Sequence, residues 1–196
     1  PDDITISINP TENIVGSSVL DTVDVAVVDE LGNPVAEGTI VNLSISDPDF
    51  GSLSENVVAT DDNGLARVMF TPGTKNGICW VNASCGAVSD SAYIILNAGD
   101  PHTMEFEVSD SAIYTLGVGE IDQSTIYAYI YDIFGNPVAD STEVIFDIVS
   151  YPTGGTVIRP GLFPPGGSLT SDVRYTFGGR ATITLKAGSK SGTVEV

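Results

Sequence analysis

The stretch Asp29-Glu30-Leu31-Gly32-Asn33-Pro34-Val35-Ala36 has a counterpart 103 residues later, Asp132-Ile133-Phe134-Gly135-Asn136-Pro137-Val138-Ala139. In both copies the glycine supplies backbone freedom, the asparagine is pushed toward an extended conformation by the following proline, and the proline lacks the amide that a strand ladder needs. A strand is therefore predicted to end at each aspartate. The shared Gly-Asn-Pro-Val-Ala at one offset indicates two copies of a module of about 100 residues.

Short runs of alternating apolar and polar residues dominate the rest of the chain. This alternation predicts half-buried strands, and about seven strands in roughly 100 residues is typical of an immunoglobulin-like sandwich. We therefore predict an all-β fold of two tandem immunoglobulin-like Greek-key β-sandwiches, residues 1–97 and 98–196. The predicted strands cover residues 4–8, 20–28, 39–46, 57–60, 65–71, 78–84 and 87–96, then 104–108, 125–131, 143–149, 173–177, 180–186 and 191–196.

Alternation also assigns directions to the side chains of the strand that precedes each turn, because successive side chains point to opposite faces. The positions predicted to face the core are paired between the copies as Val23 with Ile126, Val25 with Ala128, and Val27 with Ile130. The outward positions of the second copy carry Tyr127, Tyr129 and Tyr131. The first copy lacks this aromatic stripe.

The chain resembles the tandem bacterial immunoglobulin-like domains of the invasin and intimin type. In the first copy the resemblance is carried by Asp29, the turn at residues 32–35, Val41-x-Leu43, and Thr60-Asp61 followed by Gly64-x-Ala66-x-Val68. The second copy keeps Asp132, the turn at residues 135–138, and Val144-x-Phe146. It departs from the pattern where Ser171, Asp172 and Val173 stand in place of the Thr-Asp stretch.

The resemblance implies a non-catalytic stalk or adhesion module of a prokaryotic cell-surface or secreted protein. It places the chain outside the cell or on its surface. The implied partners are neighbouring immunoglobulin-like domains of the same polypeptide, and a protein or glycan on a host or neighbouring cell.

The charge and the apolar pattern exclude two classes of partner. Lysine and arginine number 7 against 26 acidic residues, a net charge of −19, so nucleic acid and anionic lipid are poor partners. No apolar run approaches the roughly 18 residues that a membrane helix needs, so no membrane insertion is expected from this sequence. The single histidine, His102, lies in the segment between the copies, and no catalytic constellation is present.

Cys79 and Cys85 are predicted to be free thiols in the core. They lie six residues apart on one predicted strand, which separates their Cα atoms by on the order of 20 Å, far beyond the ~7 Å limit for a disulfide. At an offset of 102 residues they align with Ala181 and Ala187, on the inward face. Small buried side chains are expected at such positions.

Calcium is the one cofactor that the sequence leaves open, and otherwise no cofactor is expected. Asp61, Asp62 and Asn63 in one turn, and Asp100 at the junction of the copies, offer the hard oxygen ligands that calcium prefers. The same Asp-Asp-Asn-Gly sequence is also favourable for a plain turn. Both interpretations remain open.

Two Asn-x-Ser triplets, at Asn42 and Asn82, fit the pattern for N-glycosylation. Both asparagines are predicted to point outward from their strands. Modification at these sites depends on an organism that has the machinery.

A carbohydrate- or protein-binding module is the main alternative function. Its candidate residues are Tyr127, Tyr129 and Tyr131, together with Phe163 in the long loop at residues 151–168. Aromatic rings stack on sugar rings or pack against proteins, but they also cover strand faces within a domain. A third possibility is an accessory domain of a larger extracellular enzyme.

Overall fold

The computed structural model describes residues 1–150, 157–159 and 171–196. These residues form two compact units, Pro1–Gly99 and Asp100–Val196. Each unit is considered by itself below.

The first unit is a sandwich of two sheets. One sheet has four strands in the order β1, β3, β7, β5, and the other has five in the order β2, β9, β8, β4, β6. Neighbouring strands are antiparallel except for β2 and β9, which are parallel. The strands are β1 (Asp3–Asn9), β2 (Glu12–Ile14), β3 (Asp21–Val28), β4 (Ile40–Ile45), β5 (Gly51–Leu53), β6 (Val57–Ala59), β7 (Leu65–Pro72), β8 (Gly77–Cys85) and β9 (Val88–Asn97).

The second unit repeats the first sheet and part of the second. Its four-stranded sheet has the order β10, β11, β15, β13, and its described second sheet consists of β12 and β14. The strands are β10 (Thr103–Val108), β11 (Gln123–Tyr131), β12 (Glu143–Asp147), β13 (Val157–Arg159), β14 (Ser171–Tyr175) and β15 (Arg180–Lys186). These strands correspond in order to β1, β3, β4, β5, β6 and β7.

The core of each unit follows the predicted alternation. Every second residue of β3 is buried, and β11 repeats the pattern with its own inward residues. The all-β fold of tandem immunoglobulin-like sandwiches is therefore confirmed. The three pairs predicted to face inward are all buried: Val23 with Ile126, Val25 with Ala128, and Val27 with Ile130.

The alignment of the cysteines with Ala181 and Ala187 is wrong. Ala128 of β11 pairs with Ala181 of β15, as Val25 of β3 pairs with Ala66 of β7. Ala181 is thus the counterpart of Ala66, and β15 corresponds to β7 rather than to β8. The error arose because the second unit has a longer segment between β13 and β14, which lengthens the offset beyond residue 159.

The missing Thr-Asp stretch of the second copy is also explained by this longer offset. Thr60 donates its hydroxyl to the carbonyl of Ala36, and Thr176 makes the same bond to Ala139, at 3.0 and 2.7 Å. The counterpart of the stretch at Thr60 therefore begins at Thr176, not at Ser171.

The predicted strand at residues 191–196 is reduced to one bridge, between Glu195 and Ser150.

Both cysteines are buried in the core of the first unit, and neither forms a disulfide. Burial raises the pKa of the Cys79 thiol. A raised pKa keeps the thiol protonated, so it acts as a small apolar side chain.

Gly64 is placed where only glycine fits. Its φ is +71°, and a Cβ there would stand 2.6 Å from the carbonyl oxygen of Val27. Its own carbonyl accepts the amide of Val27 at 3.0 Å, and Gly179 accepts the amide of Ile130 in the same way at 2.8 Å. The close approach of this loop to the end of β3 is thus present in both units.

We predict that Gly64→Ala lowers the free energy of unfolding by about 3 kcal/mol, because left-handed strain and a backbone clash add together. Gly32→Ala is the matched control, since Gly32 has a φ of +80° but nothing within 4 Å of the added Cβ. It should cost only about 1 kcal/mol. Equal losses in urea unfolding of the two variants would contradict this explanation.

Candidate functional site

The tyrosine stripe lies on the outward face of β11, as predicted. Tyr127, Tyr129 and Tyr131 are each half-buried. The hydroxyl of Tyr129 donates to Glu107 of β10 at 3.1 Å, and the Arg180 guanidinium lies 5.5 Å from the centre of the Tyr127 ring. Residues of the neighbouring strands therefore contact two of the three tyrosines.

The first unit carries a different contact at the same place. Asp24 and Arg67 form an ion pair there, with Nε 2.6 Å from Oδ1. Asp24 is the counterpart of Tyr127, so an aromatic position in one unit is an acidic position in the other. The two outward faces present different chemistry on the same frame.

A second aromatic pair was missed by the sequence reasoning. Trp80 of β8 and Tyr93 of β9 are directly opposite across the strands, with ring centroids 5.3 Å apart and an angle of 62° between the rings. Both are 46% exposed. The signal was present in the sequence, because Trp80 falls between the inward residues Cys79 and Val81 and so must point outward.

Polar side chains continue the face beside this aromatic pair. The pairing of Ser44 with Asn82, and of Asn42 with Ser84, places both candidate glycosylation residues on neighbouring strands β4 and β8. Both asparagines are exposed. Aromatic rings next to amides and hydroxyls form a surface that can stack on and hydrogen-bond a sugar.

Among the calcium candidates, Asp61 accepts hydrogen bonds from the backbone of its own turn. Its Oδ1 accepts the backbone amides of Asn63 and Leu65, each at 2.9 Å. These bonds, led by that from Leu65, lower the pKa of the Asp61 carboxyl. Asn63 donates its side-chain amide to Asp62 at 2.7 Å.

Asp100, the fourth calcium candidate, belongs to the second unit. Across the described ranges, no group of three or more His, Cys, Asp or Glu side chains is arranged to hold a metal ion. Phe163 and most of the loop at residues 151–168 lie outside the described residues. No helix among the described residues is long and apolar enough to cross a membrane.

A buried carboxylate lies at the start of β3. Asp21 is fully buried, and its Oδ1 accepts the side-chain amide of Asn13 at 2.9 Å. Its Oδ2 has no hydrogen-bond partner. Desolvation raises the pKa of Asp21 above the ordinary value of 3.8, and the bond from Asn13 opposes this only in part.

We predict that Asp21→Asn stabilises the first unit at neutral pH. In the wild type, the Asp21 carboxyl holds its proton more tightly in the folded state than in the unfolded state. The free energy of unfolding therefore falls as the pH rises above 3.8 and through the raised pKa of the folded state. The advantage of the variant should therefore be absent near pH 3 and grow toward pH 7. Urea unfolding across this range, followed by Trp80 fluorescence, measures it, and an advantage that shrinks with rising pH would contradict it.

The comparisons with known proteins bear on the fold. No protein-family model matches the sequence. The chain is similar to the solved structure of InvD from Yersinia pseudotuberculosis, with 20% identity, a TM-score of 0.67, and coverage of 97% of this chain and 50% of that chain. This likeness supports the fold of tandem immunoglobulin-like β-sandwiches. The resemblance to the invasin and intimin type is thus confirmed for the fold.

Two other solved structures also match. The Escherichia coli adhesin FdeC shows 17% identity and a TM-score of 0.50, covering 97% of this chain and 57% of that chain. Invasin, an integrin-binding bacterial protein, shows 20% identity and a TM-score of 0.43, covering 97% of this chain and 34% of that chain. The chain spans about half the length of the InvD and FdeC chains it matches.

Proposed function

We propose that this chain is a non-catalytic, load-bearing spacer and adhesion module of a prokaryotic cell-surface or secreted protein. Its fold is shared with InvD and with FdeC, which is described as an adhesin. The observation that supports a load-bearing role most directly is the parallel pairing of β2 with β9. These strands are near the beginning and at the end of the first unit.

Strands that are paired in parallel resist a pull that acts on them from opposite ends. A pull on the two ends of the unit reaches β2 through β1, which is paired with β3 over seven residues. It then draws β2 toward its N-terminal end and β9 toward its C-terminal end, so these two strands must slide past one another. The bonds between them include those from the Ile95 amide to Thr11 at 2.9 Å and from the Val15 amide to Asn97 at 3.0 Å. In a sliding geometry these bonds share the load and must break together.

The surface charge fits an exposed extracellular module. With a net charge of −19, the chain has little affinity for nucleic acid and repels its own copies. The partners in this proposal are neighbouring immunoglobulin-like domains of the same polypeptide, and a protein or glycan on a host or neighbouring cell. Calcium bound near Asp61, Asp62 and Asn63, and glycans on Asn42 and Asn82, would add to this role without being needed for it.

We predict that Val15→Pro sharply lowers the force needed to unfold the first unit, because proline removes the amide that bonds to Asn97. The matched control is Val68→Ala, which opens a cavity in the buried face of β7 and costs about 2–3 kcal/mol. The control should reduce the unfolding force far less than its loss of equilibrium stability suggests.

Single-molecule pulling of the intact chain by its two ends measures both variants, and urea unfolding provides the equilibrium stabilities. Forces that simply follow equilibrium stability in the two variants would rule out a clamp formed by β2 and β9.

A second candidate function is glycan binding at the outward face of the first unit. It is favoured by the exposed edge-to-face pair of Trp80 and Tyr93 beside the polar residues of β4 and β8. The tyrosine stripe of β11 is the rival surface, but Tyr129 already donates its hydroxyl to Glu107, and the ring of Tyr127 already lies near Arg180. We therefore place stacking on a sugar ring at Trp80 rather than at the stripe.

On a glycan array, the double variant Trp80→Ser, Tyr93→Ser should lose binding by about tenfold or more, which corresponds to about 1.4 kcal/mol. The matched control is Tyr127→Ser, Tyr129→Ser, Tyr131→Ser, which should bind as the wild type does. Both variants must keep the circular dichroism of the β fold. Loss of binding in the tyrosine variant alone would move the site to β11.

A further inference from the structure

The outward face of β8 and β9 has a hollow next to the aromatic pair of Trp80 and Tyr93. The hollow has a volume of about 320 Å³ and is lined by Asn82, Ala83, Ser84, Ser89, Asp90 and Ser91. The strand register places its outward residues in two cross-strand rows, Asn82 with Ser91 and Ser84 with Ser89. Trp80 and Tyr93 form the next row along the same two strands.

The hollow exists because large and small outward side chains follow one another along these strands. Serine side chains are short, whereas the rings of Trp80 and Tyr93 stand well above the sheet and are both exposed. Successive rows on one face are two residues apart, which is about 7 Å in a strand. The aromatic pair therefore bounds one end of the hollow at a distance comparable to the size of one sugar ring.

The residues of the hollow can donate and accept hydrogen bonds. Each serine hydroxyl does both, and the Asn82 side chain has two amide donors and a carbonyl acceptor. Ser44 of β4 lies opposite Asn82 and extends this polar surface onto a third strand. An apolar side chain of a protein partner would leave such groups unpaired, which costs free energy, whereas the hydroxyls of a sugar would pair with them.

This face is also uncharged. The outward positions of β4, β8 and β9, three strands that are described along their whole length, hold no Asp, Glu, Lys or Arg. The carboxylate of Asp90, which lines the hollow, accepts the amide of Ile6 on β1 at 3.0 Å. An acidic sugar would need an arginine or lysine here, and the net charge of −19 would repel it. An uncharged sugar fits this surface.

We propose that the outward face of β8 and β9 binds an uncharged glycan of at least two sugars. One ring stacks on Trp80, and the next lies in the hollow, where Asn82 and the serines bond its hydroxyls. The proposal rests on the glycan-binding function described above and adds to it the second sugar position and the exclusion of acidic sugars.

The test is a titration of the full chain, followed by the amide signals of its NMR spectrum. The probes are cellobiose, maltose, lactose and diacetylchitobiose, each beside its monosaccharides, together with sialyllactose as the acidic form of lactose. The protein comes from a host without N-glycosylation, so that Asn82 is unmodified. At least one neutral disaccharide should shift the signals of Trp80, Ser84 and Ser91 and bind tenfold or more tightly than its monosaccharides. Sialyllactose should bind no more tightly than lactose.

The double variant Ser84→Ile, Ser91→Ile fills the hollow with side chains that suit a strand. It should bind the disaccharide no more tightly than the monosaccharide, because the second sugar position is blocked. The matched control is Ser7→Ile, Ser52→Ile, which changes two exposed serines of the other sheet and should bind as the wild type does. Circular dichroism and urea unfolding establish that both variants are folded.

The outcomes separate this proposal from the function on which it rests. A preference for the disaccharide that survives in Ser84→Ile, Ser91→Ile would overturn the second sugar position while leaving stacking at Trp80. Tighter binding of sialyllactose than of lactose would overturn the exclusion of acidic sugars. If none of the probes shifts the signals of Trp80 and Tyr93, both the proposal and glycan binding at this face are overturned.

Discussion

One carboxylate at the end of β3 organises the turn on which each unit is built. Asp29 Oδ1 accepts the backbone amides of Leu31 and Asn33, both at 2.9 Å, and Asp132 does the same for Phe134 and Asn136. These bonds, led by that from Asn33, lower the pKa of Asp29. A carboxylate held by several amides substitutes for the ladder bonds that the turn must give up.

The rest of the architecture is arranged around this turn. After it, the amide of Val35 returns to the carbonyl of Val27 at 3.2 Å, and Val138 returns to Ile130 at 3.1 Å. The chain then crosses to the other sheet, where β4 or β12 begins. The loop at Gly64 lies against the end of β3 and this turn, and the loop at Gly179 lies in the same way against the end of β11 and its turn. Two segments that connect the sheets therefore meet at the end of one strand in each unit.

The sequence could predict this much because each signal was local. The repeated turn and the alternation of Val23, Val25 and Val27 depend only on neighbouring residues, and they identified the fold and the core. The pairing of Ala181 with Ala128 depends on how long the intervening segment is, and a fixed offset cannot register an insertion. The contact of Trp80 with Tyr93 depends on which residues of β8 and β9 lie opposite one another, and this register comes from the structure.

The prolines of the two turns limit how far each ladder extends. Pro34 forms a single bridge with Val28, and Pro137 forms one with Tyr131. Neither proline carries an amide, so neither can donate a further ladder bond. Each ladder therefore ends within the turn, and the segment that follows can cross to β4 or β12 in the other sheet.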